Sequence, residues 1–169
     1  MTERTLYLTV SGASTTEAEP VPDLARLLVT RGWRVTVVST PTGVRFHDPD
    51  AIEAATGTPV RSEFRMPGTG TSLPPADALL ACPWSFNSTN KTAHGIADTF
   101  AVALVCEMIG RGVPTVIVPK AGAPLARHPA FARSLADLES MVPVTVLYDP
   151  ARPLPPWREV ADAVSAAAG

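Results

Sequence analysis

Short apolar runs recur along the chain, and segments with helical signals separate most of them. The runs are Leu6–Val10, Arg34–Ser39, a weaker stretch over 59–64, then 76–83, 112–119 and 144–149. Between them, Val21, Leu24, Leu27 and Leu28 share one helical face, which Gly32 ends. Asp48 caps a short helix, with Pro49 in its first turn and Gly57 at its end. A helical pattern runs from Thr92 to Met108 with Gly95 as a joint, another starts near Pro129, and a last one begins at Trp157. This alternation of strand and helix leaves few folds open. It predicts a single domain over 1–169: a three-layer α/β/α, Rossmann-like (flavodoxin-like) fold around a parallel sheet. The run at 76–83 is almost wholly apolar, as a strand covered on both faces must be.

Composition narrows the function. Charged residues make up 18% of the chain and hydrophobic ones 46%, and the formal net charge is -2. No cationic surplus points to nucleic acid. The apolar run near the N-terminus, Leu6–Val10, is too short for a membrane span, so a cytoplasmic protein is expected. Cys82 and Cys106 lack metal-ligand spacing and read as buried free thiols. His47, His94 and His128 fall into no zinc or triad pattern, so no metal is expected.

In a sheet of this kind, ligands bind beyond the carboxyl ends of the strands. Three predicted loops there share one chemistry. The first is Ser11-Gly12-Ala13-Ser14 and the second Ser39-Thr40-Pro41-Thr42-Gly43. The third, Trp84-Ser85-Phe86-Asn87-Ser88-Thr89-Asn90, follows the 76–83 run. Small and hydroxyl-bearing residues let a phosphate reach backbone N–H groups, and a helix N-terminus adds partial positive charge. Gly12 permits close approach of the backbone. The same residue types also serve as plain helix caps. Neither a G-x-G-x-x-G fingerprint nor a Walker lysine pattern occurs, so a mononucleotide fits better than a dinucleotide. Trp84 and Phe86 can wall a flat ring or plug the core. Asn87 can bond a ring edge or a carboxylate, and Asp98 can cap a helix or pair with a cation.

Pro83-Trp84-Ser85-Phe86-Asn87-Ser88 resembles the Pro-Ala-Ser-Ala-Asn-Thr motif of the flavin-containing cysteine decarboxylases. Lys91-Thr92-Ala93-His94-Gly95-Ile96-Ala97-Asp98 resembles that family's Lys-x-Ala-x-Gly-x-Ala-Asp segment more closely still. With the first two loops included, the resemblance covers roughly residues 5 to 150. It implies an FMN-dependent oxidoreductase or decarboxylase acting on a small or peptidyl carboxylate or thiol substrate. The alternative is an FMN-binding partner or regulatory subunit without that activity. By the same resemblance, Ser11, Gly12, Ala13, Ser14, Ser39, Thr42 and Ser85 serve the FMN phosphate and its adjoining chain. Trp84, Phe86, Asn87 and Asp98 belong to the cofactor site, and relatives assemble as homotrimers or dodecamers of trimers.

Two family features are missing. The active-site histidine has no counterpart in "RSEFRMPGTGTS". The Pro-x-Met-Asn-x-x-Met-Trp substrate clamp is replaced by Pro119-Lys120-Ala121-Gly122-Ala123-Pro124-Leu125-Ala126. Lys120, standing in the clamp, can offer positive charge to an anionic substrate. With Asn87 it is the candidate catalytic residue.

Overall fold

The computed structural model describes residues 3–16, 18–152 and 154–169; Glu17 and Pro153, in two of the predicted connections, lie outside the described residues. Five parallel strands form one sheet: β1 (Arg4–Val10), β2 (Trp33–Ser39), β3 (Ala78–Ser85), β4 (Thr115–Lys120) and β5 (Val144–Val146). Their order is β2-β1-β3-β4-β5. The helices are α1 (Val21–Thr30), α2 (Gly43–Phe46), α3 (Pro49–Thr56), α4 (Phe86–His94), α5 (Phe100–Gly110), α6 (Ala123–Ala126), α7 (Pro129–Glu139) and α8 (Trp157–Ala168).

The two faces of the sheet carry separate cores. Leu6, Leu8, Val35, Leu80 and Val118 point to one side, where α1, α3 and α8 deliver Leu24, Leu28, Ile52, Trp157 and Val160. Tyr7, Leu79, Ala81 and Ile117 point to the other, against Val102, Val105 and Met108 of α5 and Leu138 of α7. Each fully buried Leu, Ile or Val contributes about 1.5–3 kcal/mol relative to exposure. The three expected layers and the parallel sheet are therefore present.

The local signals at the helix ends also hold. The Asp48 carboxylate accepts from the N–H groups of Asp50 and Ala51 to start α3, and Gly57 ends it in the left-handed region at φ 74°. Leu24 and Leu28 of α1 are buried as predicted.

Three expectations needed correction. The stretch 59–64 is not a strand: Arg61 makes a single parallel bridge to Val38, and the chain then leaves the sheet. Val60 still packs against the core, but Arg61 and Glu63 keep the alternate face polar, Phe64 is exposed, and Pro67, Gly68 and Gly70 soon turn the chain away. The run at 144–149 pairs only over its first three residues. Finally, the helix expected from Thr92 begins already at Phe86; the expected joint at Gly95 is present, closing α4 in the left-handed region (φ 67°) before Thr99 caps α5.

A cup at the sheet crossover

The chain runs from β1 outward to β2, then returns to place β3 on the other side of β1. Strand order thus reverses between β1 and β3, and a crevice opens at their carboxyl ends. Backbone pairing of these strands stops at Thr9 and Ala81. Beyond that point Ser11 joins them. Its N–H and hydroxyl both donate to the Pro83 carbonyl (3.2 and 2.8 Å), and its Oγ accepts from the Ser85 N–H (2.8 Å). Ser11 is fully buried, so its side chain ties the two strand ends together behind the crevice.

The loop after β1 lies hard against the loop after β2. A Cβ on Gly12 would fall 2.5 Å from the Thr42 methyl carbon. The Thr40 N–H donates to the Val10 carbonyl, and the Gly43 N–H donates to the Thr40 hydroxyl (3.0 Å). Gly43 is just as confined, because a Cβ there would meet Ser39 Oγ at 2.4 Å. Ser39 is buried, and its hydroxyl donates to the Thr40 carbonyl. Beneath the first loop, the buried His47 ring places Nε2 3.1 Å from the Ser11 carbonyl. Burial pulls the His47 pKa below the usual range, against the opposing pull of its bonds to the backbone at Ser11 and Ala13.

The third wall is the start of α4. Ser85 caps it, accepting from the Ser88 N–H (3.1 Å). The β3–β4 register shifts between Ala81 and Trp84, and the Cys82–Pro83 peptide is cis. With that register shift, Trp84 packs on the same face as Ala81, fully buried, with its indole N–H donating to Thr92 Oγ1 (3.0 Å). Phe86 instead turns toward α7, its ring 5.9 Å from Phe131 and edge-on to His128 at 5.8 Å.

These walls enclose a cup of about 720 Å³, within the range of small-ligand sites. Gly12, Ala13, Ser14, Thr42, Ser85, Phe86, Asn87 and Lys120 all line it. Four other sequence candidates do not line it. Ser11 and Ser39 have their hydroxyls bonded within the loops, and Trp84 is in the core. Asp98 is exposed and pairs with Lys91 at 2.6 Å; that contact holds its carboxyl below the usual carboxylate range.

Thr40, Lys91, Val102 and Leu125 line the cup without having been singled out as candidates. Lys91 was within reach of sequence reasoning, since it follows Asn87 by four residues and so shares its helix face. Val102 and Leu125 carried no such signal. Neither thiol lines the cup; burial pushes Cys82 far up, and Cys106 is raised by the same cause. No group of His, Cys, Asp and Glu among the described residues could hold a metal.

The residues suit the cofactor that the sequence implied. Gly12 lets the first two loops close on each other at the edge of the cup, since a Cβ there would run into the Thr42 methyl. Ser14 and Thr42 line the cup, the Ser14 hydroxyl bonding Thr16 within its loop, and Phe86, Val102 and Leu125 give an apolar side to a planar ring. Sheet order and cup together define a doubly wound α/β protein with an open cup at its topological switch point.

The chain belongs to the Flavoprotein family, whose model matches residues 1–169. Among solved structures it is similar to the FMN-dependent cysteine decarboxylase TvaF from thioviridamide biosynthesis. The TM-score is 0.78 at 21% identity, covering 99% of each chain. The FMN-dependent cysteine decarboxylase SpaF is 26% identical with a TM-score of 0.74, covering 99% of this chain and 98% of that one. A curated relative is the coenzyme A biosynthesis bifunctional protein CoaBC of Thermococcus kodakarensis, 29% identical over 123 residues. That match covers 70% of this chain and 30% of the relative's length.

Proposed function

We propose that the protein binds FMN in the cup and acts as a flavin-dependent decarboxylase or oxidoreductase on a small or peptidyl substrate bearing a carboxylate or thiol. The observation that carries this reading is the open cup at the β1–β3 crossover, lined by the three hydroxyl-bearing loops that follow β1, β2 and β3. FMN when bound supplies the two-electron redox chemistry. The chain supplies placement.

In this reading the phosphate sits against the backbone of Gly12 and Ala13 and the hydroxyls of Ser14 and Thr42, near the positive end of α4. Ser11, Ser39 and His47 hold that cradle in shape from behind. Phe86 flanks the ring. Asn87 is exposed on the first turn of α4 and orients the substrate carboxylate. Lys120 pairs with Ser85 in the β3–β4 register at the mouth of the cup and attracts an anionic substrate. Neighbours named as FMN-dependent cysteine decarboxylases match essentially the whole chain, which favours an enzyme over a non-catalytic FMN-binding subunit. Assembly as a homotrimer or a dodecamer of trimers, and a cytoplasmic location, complete the proposal. No described helix is long and apolar enough to cross a membrane.

The test has two stages. Purified protein should carry a flavin absorbance band, and the released cofactor should co-elute with FMN. Peptides ending in cysteine, and a panel of small thiol carboxylates, should then release CO₂. Asn87→Ala should lower kcat/KM, and Lys120→Gln should act mainly through KM. Colourless protein that takes up no added FMN sinks the cofactor assignment. A yellow protein inert on the whole panel sinks the decarboxylase assignment alone.

A further inference from the structure

A second cleft, of about 840 Å³, lies on the other side of α5 from the cup. Thr99 and Val102 face the cup, whereas Phe100, Leu104 and Met108 line the second cleft. Segment 61–76 forms the opposite wall. It arches away from the sheet after the single bridge at Arg61 and returns where the Asp77 N–H donates to the Thr5 carbonyl. Phe64 closes one end, with its ring 5.6 Å from that of Phe100. Tyr7 is at the base, its hydroxyl donating to the Pro74 carbonyl. The apolar walls alone would fit many molecules, so charge decides the class.

Three guanidinium groups line this cleft, and their partners differ. Arg111 is neutralised by Glu107 on the same helix (2.6 Å). Arg61 donates to the carbonyl and hydroxyl of Thr71 (3.0 and 3.2 Å). Arg65 donates to the Gly70 carbonyl (3.3 Å). Among the described residues, neither Arg61 nor Arg65 has a carboxylate in salt-bridge range. Glu63 is the one other acid lining the cleft. Two uncompensated guanidiniums therefore face one carboxylate beside an apolar wall. Burial of Tyr7 raises its phenol pKa, so it stays a neutral group at the base.

We infer that this cleft is a second binding site, for a molecule with an apolar body and a carboxylate head. The body lies against Leu104, Met108 and Phe100, and the head is held by Arg61 and Arg65. A planar guanidinium matches a carboxylate with paired N–H donors, a fit an ammonium head cannot make. The site does not depend on what the cup holds.

Calorimetric titration of the full chain in excess FMN, with decanoate and with decylamine, tests this. The two probes share one apolar body and differ in the charge of the head. The chain's net charge of -2 favours the amine in any non-specific association. The expected result is equimolar decanoate binding, about tenfold tighter than decylamine. Arg65→Gln should weaken that preference, and Arg61→Gln with Arg65→Gln should abolish it. Leu104→Trp, which fills the cleft, should remove binding of both probes; circular dichroism and retained FMN binding confirm that each variant is folded. Should the double variant not fold, Arg65→Gln alone decides. Equal binding of both probes, no decanoate binding, a preference unchanged in Arg65→Gln, or loss of binding in Asn87→Ala would each overturn the inference.

Discussion

Gly12 and Thr42 touch across the cup: a Cβ on the glycine would stand 2.5 Å from the threonine methyl carbon and 3.1 Å from its Cβ. The loops after β1 and β2 can meet at this distance only because position 12 has no side chain. Gly12→Ala must therefore spread them. FMN affinity should fall about tenfold or more, equivalent to roughly 1.4 kcal/mol. Adding Thr42→Ser removes the clashing methyl and keeps the hydroxyl, so the double variant should regain most of the loss. A fluorescence titration with FMN reads both, and a double variant no better than Gly12→Ala would show that crowding is not the cause.

Ser11 extends the β1–β3 ladder past its last backbone pair. Ser11→Ala leaves the Ser85 N–H without its acceptor at a half-buried position. The expected destabilisation is about 1–3 kcal/mol. Urea unfolding should show it as a lower midpoint with unchanged slope. Ser11→Thr keeps the oxygen but adds a methyl to a fully buried site, so it should not restore full stability.

The buried His47 should make stability depend on pH. Its pKa lies below the usual 6.5, with burial the main cause. The unfolded chain therefore binds a proton there before the folded one does, so stability rises with pH across that window. The contribution is complete above about pH 6.5 and is lost as pH falls toward the lowered value. His47→Gln can still donate to the Ser11 carbonyl but cannot titrate. Its melting temperature should fall less steeply on acidification than that of the parent. Parallel curves for the two proteins would show that His47 does not carry the effect.

Asp98 offsets the charge of Lys91, which lines the cup. The pair is exposed on the Asp98 side, so Asp98→Asn should change stability little. Its effect should appear in binding. With the ammonium no longer compensated, FMN affinity should rise a few-fold at low ionic strength, and added salt should erase the gain. Affinity unchanged at low salt would mean that the Lys91 charge does not reach the phosphate.

The sequence by itself determined the layers and most of the cup. Leu6 and Leu8 read as residues of a strand, Leu79 and Leu80 as residues of a strand covered on both faces, and Asp48, Pro49 and Gly57 bracketed a helix by their own backbone chemistry. Those signals are local, or periodic along one segment, so a linear reading finds them. Gly12, Asn87 and Lys120 could likewise be placed at strand ends and so at one edge of the sheet.

Tertiary structure decided what each of those residues faces. Strict alternation would put Trp84 on the side of Leu80; the register shift after Ala81 turns it to the other face and into the core. Ser11 and Ser39 have the composition of ligand groups, yet their hydroxyls close bonds to neighbouring backbone. His47 is 36 residues from Ser11 in sequence and 3.1 Å from its carbonyl in space. A hydroxyl or a ring looks the same in sequence whether it bonds a ligand or its own chain, because only packing fixes which partner it meets.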